Sequence, residues 1–92
     1  MYKATWRNPA LDDLAHIVDY TEIEWGEAQA AKLIATFEQA TRVLSESPEL
    51  GRNVRRKNVY VFVLSKVPFV ILYDFNGQEV FINQVIHTSK RR

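Results

Sequence analysis

The sequence predicts an α+β domain of order β-α-α-β-β-β, with a helical hairpin packed on one face of a mostly antiparallel sheet. Three observations carry this. The first half holds two stretches with apolar residues at helical spacing, parted by a single glycine. The second half holds three runs rich in Val, Ile, Phe and Tyr, parted by turn signals. A short alternating segment precedes them all. Paired helices beside a set of adjoining strands make a two-layer domain.

Taken in order, residues 2–6 alternate apolar and polar side chains and read as a short strand. Asn8-Pro9 then marks a helix start, with Asn8 placed to cap free backbone N–H groups and Pro9 suited to the first helical position. Asp12 and Asp13 are expected in the first turn, where the helix dipole favours negative charge. Leu11, Leu14, Ile17, Val18, Thr21 and Trp25 fall within an arc of about 120°, a core-facing stripe on a helix over 9–25. Gly26 is placed to end that helix. A second helix is expected over 27–45, with Ala30, Leu33, Ile34, Phe37, Ala40, Thr41 and Leu44 in a similar arc. So short a break forces the two helices into an antiparallel hairpin. Ile23 and Val43 lie outside the arcs, as lone surface apolar residues or parts of a docking surface. His16 falls on the polar face.

Pro48 and Gly51 stop the second helix and turn the chain. Residues 53–57 read equally as a strand or a loop. Residues 59–64 are continuously apolar and β-branched, which predicts a strand buried on both faces or central in the sheet. Lys66-Val67-Pro68 gives the next turn and 69–75 the next strand. Asn76-Gly77 signals a type I′ hairpin. The last strand covers 80–86, with Val80, Ile82, Gln84 and Ile86 expected on one face and Phe81, Asn83, Val85 and His87 on the other.

Bulk properties limit the function. Ninety-two residues make one domain, 1–92, with one modest core. Cysteine is absent, so neither disulfides nor a thiolate zinc site can form. Two histidines far apart do not suggest a metal site, and no cofactor motif is present. No stretch approaches the roughly 18 apolar residues of a membrane span and no signal-peptide pattern opens the chain, so a soluble cytoplasmic protein is expected. The net charge of +1 hides an asymmetry: residues 1–49 hold four basic and nine acidic side chains, residues 50–92 eight basic and two acidic. A basic surface facing an anionic partner follows, unless the charges are simply solvated. The candidate cations are Arg52, Arg55, Arg56 and Lys57 before the strands and Lys90, Arg91 and Arg92 at the end. Asp12, Asp13 and Asp19, with no phosphate loop beside them, are placed on the outer face of the helix and read as solvated.

A family resemblance now comes into view. It is carried by Ala10-Leu11-x-Asp13-Leu14-x-x-Ile17-x-x-Tyr20 in the first helix and Leu44-x-x-x-Pro48-x-x-Gly51-Arg52 closing the second. Val70-Ile71-Leu72-Tyr73 and Val85-Ile86-His87 carry it through the strands. In this order and spacing they resemble the RelE/ParE superfamily of bacterial toxin–antitoxin toxins over essentially the whole chain. The resemblance implies a cytoplasmic toxin, without cofactor or metal, neutralised as a hetero-oligomer by a cognate antitoxin that adds a strand or helix to it. RelE-like members cut messenger RNA on the ribosome; ParE-like members act on DNA gyrase.

Metal-free RNA cleavage needs proton acceptors and donors and a cation over the phosphorane. RelE-like ribonucleases commonly carry an arginine just before the Ile-Leu-Tyr run, where this chain has Val70, and a tyrosine ending the last strand, where it has Thr88. These departures favour the ParE-like branch. Its target would be held by Arg52, Arg55, Arg56, Lys57, Lys90, Arg91 and Arg92, with no catalytic residue. A ribonuclease with a rearranged site would instead use His87, Arg52 and Arg56, and a toxin-fold binding module without toxicity is the third expectation. His87 is either an acid or base of suitable pKa or a structural strand-end residue.

Overall fold

The computed structural model describes residues 1–54 and 57–90, Lys90 by its backbone alone. The elements are β1 (Lys3–Trp6), α1 (Asn8–Trp25), α2 (Glu27–Glu46), β2 (Arg52–Asn53), β3 (Val59–Val63), β4 (Phe69–Phe75) and β5 (Glu79–His87), followed by a 3-10 turn at Thr88–Lys90. The sheet runs β1-β5-β4-β3-β2; β1 joins β5 in parallel and all other neighbours are antiparallel. The expected order stands. Of the segment that sequence left undecided, Asn53 pairs with Tyr60, continuing a short strand that begins at Arg52 opposite Val61.

The core lies between α2 and the sheet. Leu33, Phe37, Ala40 and Leu44 are buried against Ile71, Tyr73, Phe75, Val80 and Ile82. The α1 stripe is wetter than expected: Ala10 is buried and Leu14 and Ile17 pack on the core, but Leu11 and Trp25 are exposed, as is Ile34 of α2. The reason is position. Helix α1 packs on α2 and on β5 near the sheet margin, so the flanks of its arc extend past both. Its N-cap is Arg7 rather than Asn8, with no side-chain cap, and Asp12 and Asp13 fall beyond the first turn. Pro9 does occupy the start.

Gly26 alone connects the helices, ending one and capping the next at φ 93° and ψ 170°. That backbone region is essentially restricted to glycine, so the hairpin depends on this residue.

The sheet departs from simple alternation in three places. Strand β3 lies next to the edge, not at the centre, and Val63 is exposed. The β4–β5 hairpin forms, but Asn76 has negative φ and only Gly77 is positive, so the turn is not type I′. Instead the Asn76 Oδ1 accepts the backbone N–H groups of Gln78 and Glu79, each at 2.9 Å, an Asx-type closure. Finally, register slips between Leu72↔Gln84 and Tyr73↔Ile82, leaving Asn83 as an extra residue. Such a bulge resets the pleat. Val85 therefore turns inward and is buried, while Gln84 and Ile86 turn outward with Val70 and Leu72, their partners in register.

Pro48, Gly51 and Tyr73 meet at one point. The buried Tyr73 hydroxyl donates to the Pro48 carbonyl at 2.7 Å and accepts the Gly51 N–H at 3.0 Å, and its ring stacks on Tyr60 at 5.3 Å. The central strand is thus tied to the exit of α2. Burial pushes the Tyr73 hydroxyl above the ordinary 10.0, the Gly51 N–H acting in the opposite sense. The folded state therefore holds this proton more tightly than the unfolded chain does. Its contribution is complete below pH about 10 and declines above it, by at most about 1.4 kcal/mol per pH unit. Urea midpoints between pH 9 and 12 should show the advantage of the wild type over Tyr73→Phe narrowing across this range; a constant gap would contradict it.

Candidate functional site

Direct pairing in the sheet assigns every strand side chain to one of two faces. Phe69, Ile71, Tyr73 and Phe75 look toward the helices with Val80, Ile82, Val85 and His87. The opposite face carries Val59, Val61 and Val63 of β3, Val70, Leu72 and Asp74 of β4, and Phe81, Gln84 and Ile86 of β5. No helix covers this second face among the described residues.

The helix-free face is divided. Toward β1 it is polar and self-contained. Arg7 Nη1 donates to Asn83 Oδ1 at 2.9 Å and lies 3.6 Å from Asp74 Oδ2, while its guanidinium carbon sits 4.3 Å above the Phe81 ring. Asn83, on the same side as Phe81, donates to Asp74 Oδ1 at 3.0 Å, and Thr5 donates to Glu79 Oε2 at 2.7 Å. Toward β3 the face is aliphatic. Val70 lies between Val63 and Ile86 and is only 2 % exposed, whereas Val63 is 55 % and nearby Leu50 56 % exposed. Leu50, Arg52, Val61 and Val63 surround a shallow hollow of about 560 Å³. Arg52 pairs in register with Val61 and so shares this face.

His87 belongs to the other side. It pairs with Phe69, meets that ring edge-on at 5.2 Å, and lines a groove of about 1070 Å³ between the helical hairpin and the end of β5. Its Nδ1 accepts the Ser89 backbone N–H at 3.1 Å, so the Ser89 hydroxyl, 2.7 Å away, donates to the same atom. Only Nε2 remains for other partners. The alternative catalytic set is therefore not assembled as a whole: Arg52 and His87 project from opposite faces, and Arg56 lies outside the described residues. Of the expected target contacts, Arg52 and Lys57 are exposed. Arg55, Arg91, Arg92 and the side chain of Lys90 also lie outside the described residues.

The groove holds what sequence reading missed. Strand β1 accompanies β5 only through Ile82, where Arg7 N–H donates to the Ile82 carbonyl. Beyond it the Asp13 Oδ2 accepts the Val85 N–H at 2.9 Å, standing where a next β1 residue would. Asp13 precedes Ile17 by one helical turn on nearly the same side, the one signal that it was not freely solvated. Asp13→Ala leaves a strand N–H of a buried residue without its partner, at an expected cost of about 1–3 kcal/mol. Asn, which keeps an acceptor, should lose less. Denaturation midpoints test this, and equal losses would remove the bond from the account. Tyr20 and Trp25, 64 % and 70 % exposed, form the outer wall of the groove, with Lys32 and Lys66 beside them.

Among the described residues no cluster of three His, Asp or Glu side chains could hold a metal, and no helix is long and apolar enough to cross a membrane.

Residues 4–92 match the family model described as "ParE toxin of type II toxin-antitoxin system, parDE". The fold superposes on a chain of the chromosomal ParDE toxin–antitoxin system from P. aeruginosa with a TM-score of 0.82 and 22 % identity, covering 95 % of this chain and 96 % of that one. It also superposes on a chain of the intact E. coli RelBE toxin–antitoxin complex with a TM-score of 0.60 and 18 % identity, covering 92 % and 94 %. No curated protein sequence matches.

Proposed function

The chain belongs to the ParE toxin family of type II toxin–antitoxin systems, and on that footing we propose that it inhibits DNA gyrase in the cytoplasm and is neutralised by a cognate antitoxin. The observation that carries the choice of target is the helix-free sheet face. Where a ribonuclease would need a cation over the scissile phosphate, Val70 lies packed between Val63 and Ile86, and His87 is on the far side of the sheet. An aliphatic surface neither stabilises a phosphorane nor stacks a base. It suits a protein target, with Arg52, Arg55, Arg56, Lys57, Lys90, Arg91 and Arg92 as the cations that meet the carboxylates of that target.

The antitoxin is proposed to take the groove on the helical side. The β5 edge after Ile82 has no strand beside it, and Tyr20 and Trp25 offer apolar contact next to it. A strand or amphipathic helix would find apolar side-chain partners there, beside the Val85 N–H that Asp13 already takes.

The test is a gyrase reaction on supercoiled plasmid with purified toxin. Linear DNA should accumulate with toxin and disappear when the antitoxin is added. No linear DNA at saturating toxin, together with cut transcripts in a translation assay, would replace this reading with ribosomal cleavage.

A further inference from the structure

We infer that the target is taken on the aliphatic half of the helix-free face, around Leu50, Val61 and Val63, and that the occupant is a protein surface with an apolar anchor flanked by carboxylates. This rests on the proposal that the target is a protein.

In a two-layer domain the uncovered face of an antiparallel sheet ordinarily carries polar side chains. Here the β1 half obeys that rule and the β3 half does not. The alternation that sends Tyr60 and Phe62 into the core sends Val59, Val61 and Val63 to the opposite side, where Val59 and Val61 are half-buried and Val63 is exposed. Half-buried Leu72 continues the patch across β4 and half-buried Ile86 across β5, with Val70 closed in between Val63 and Ile86. Leu50, in the loop after α2, adds to its rim. A continuous apolar patch of this kind on a small soluble domain marks an interaction surface.

Charge selects the occupant. Both carboxylates on this face are engaged, Asp74 with Arg7 and Asn83, Glu79 with Thr5. No carboxylate among the described residues lies within ion-pair distance of Arg52, which stands beside Val61 on the same face. The charge the face has left to offer is therefore positive, and the complementary partner is acidic at its margin. A nucleic acid is also acidic, but the patch has no uncovered aromatic ring to stack a base: Phe81 lies under the Arg7 guanidinium. Valine and leucine fit an apolar protein side chain. Strand β2 reaches only to the level of Val61, so the β3 edge at Phe62–Val63 continues unaccompanied, and a partner segment can approach the patch from that side.

The test uses the full-length toxin with Val63→Glu and Val63→Lys, Val63→Thr as the mildest change, and Tyr20→Glu in the groove as the control. Folding is checked by circular dichroism, and growth inhibition, gyrase-dependent linear DNA and antitoxin binding are measured on each. Both charged variants should lose growth inhibition and gyrase activity by roughly tenfold or more, since either charge removes apolar contact at the anchor. Val63→Thr should fall between, and all three should bind antitoxin as the wild type does. If wild-type toxin forms no linear DNA yet both charged variants lose growth inhibition, gyrase is the wrong target and the surface assignment stands. Full growth inhibition by both charged variants overturns the assignment. So does a split in which Lys retains or raises activity while Glu abolishes it, the pattern of a phosphate-bearing ligand. Loss of antitoxin binding at Val63, or dispersal of a wild-type dimer in sedimentation, would give the face to the antitoxin or to a second copy and equally overturn it.

Discussion

Replacing Gly51 by alanine should destabilise the protein by about 3–5 kcal/mol, a large share of the roughly 5–15 kcal/mol that holds a domain of this size together. A Cβ at this position would stand 2.6 Å from the Tyr73 hydroxyl and 2.9 Å from the Val61 carbonyl oxygen. The second of these is backbone in a paired strand and cannot rotate away. Moving the loop instead breaks the bond from Gly51 N–H to Tyr73, and the bond from Tyr73 to the Pro48 carbonyl with it. Each buried group left unpaired costs about 1–3 kcal/mol. Tyr73→Phe alone should therefore cost about 2–4 kcal/mol, and it supplies the discriminating control. With the hydroxyl gone, alanine at position 51 loses its closest clash and has no bond left to break. The double variant should be more stable than the sum of the two losses implies, with a coupling of about 1–3 kcal/mol by urea denaturation. Strict additivity would mean that Gly51 matters through Val61 and the backbone only.

That junction also explains why the sequence was readable there. Pro48, Gly51 and Tyr73 are distant in the chain, yet each is a residue type with a narrow purpose: a helix stop, a position without a side chain, a ring with a polar tip. Pro48 and Gly51 were read as a helix stop and a turn, Tyr73 entered only with the family resemblance, and the fold supplies the reason the three belong together. The helices and strands were legible on similar grounds, since a buried face imposes its period on the sequence. Legibility failed where one residue breaks the period. Nothing in Val80 to His87 announces that Asn83 is extra, so Gln84 was expected on the face of Val80 and Ile82 and Val85 on the face of Phe81, the reverse of what the bulge produces. It failed again where burial depends on what lies beyond an element. The arc on α1 is correctly apolar, but Leu11 and Trp25 overhang its neighbours. The aliphatic patch was hidden for the same reason. A run of valines in β3 predicts a strand covered on both sides, and only the topology says that one side has no layer over it. The basic residues were visible from composition, but composition could not say that Arg52 and His87 would face opposite ways.

The other large effect is expected at Phe37. Alanine there should cost about 3–5 kcal/mol, lowering the melting temperature by about 4–8 °C for each of those kcal/mol. The side chain is 1 % exposed and meets Trp6 of β1 at 6.1 Å and Phe69 of β4 at 6.0 Å, so it joins α2 to two strands that are not neighbours in the sheet. Trp6 is itself fixed to α2 through its Nε1 donating to Thr41, which limits how far the site can collapse to fill the void. The milder Phe37→Leu, expected to cost about 1–2 kcal/mol, leaves a folded protein in which a second consequence can be read. Phe69 is held on one side by Phe37 and on the other by His87. Loosening the first contact frees the Phe69 ring, and the His87 ring loses the surface it stands against. Nuclear magnetic resonance should therefore show the His87 ring protons shifted in Phe37→Leu, with His16, exposed on α1, unchanged. If both stay in place, the floor of the groove is set by β5 and Ser89 alone. If only His87 moves, the packing of α2 on the sheet determines the shape of the groove, and core substitutions far from its surface will alter what binds there.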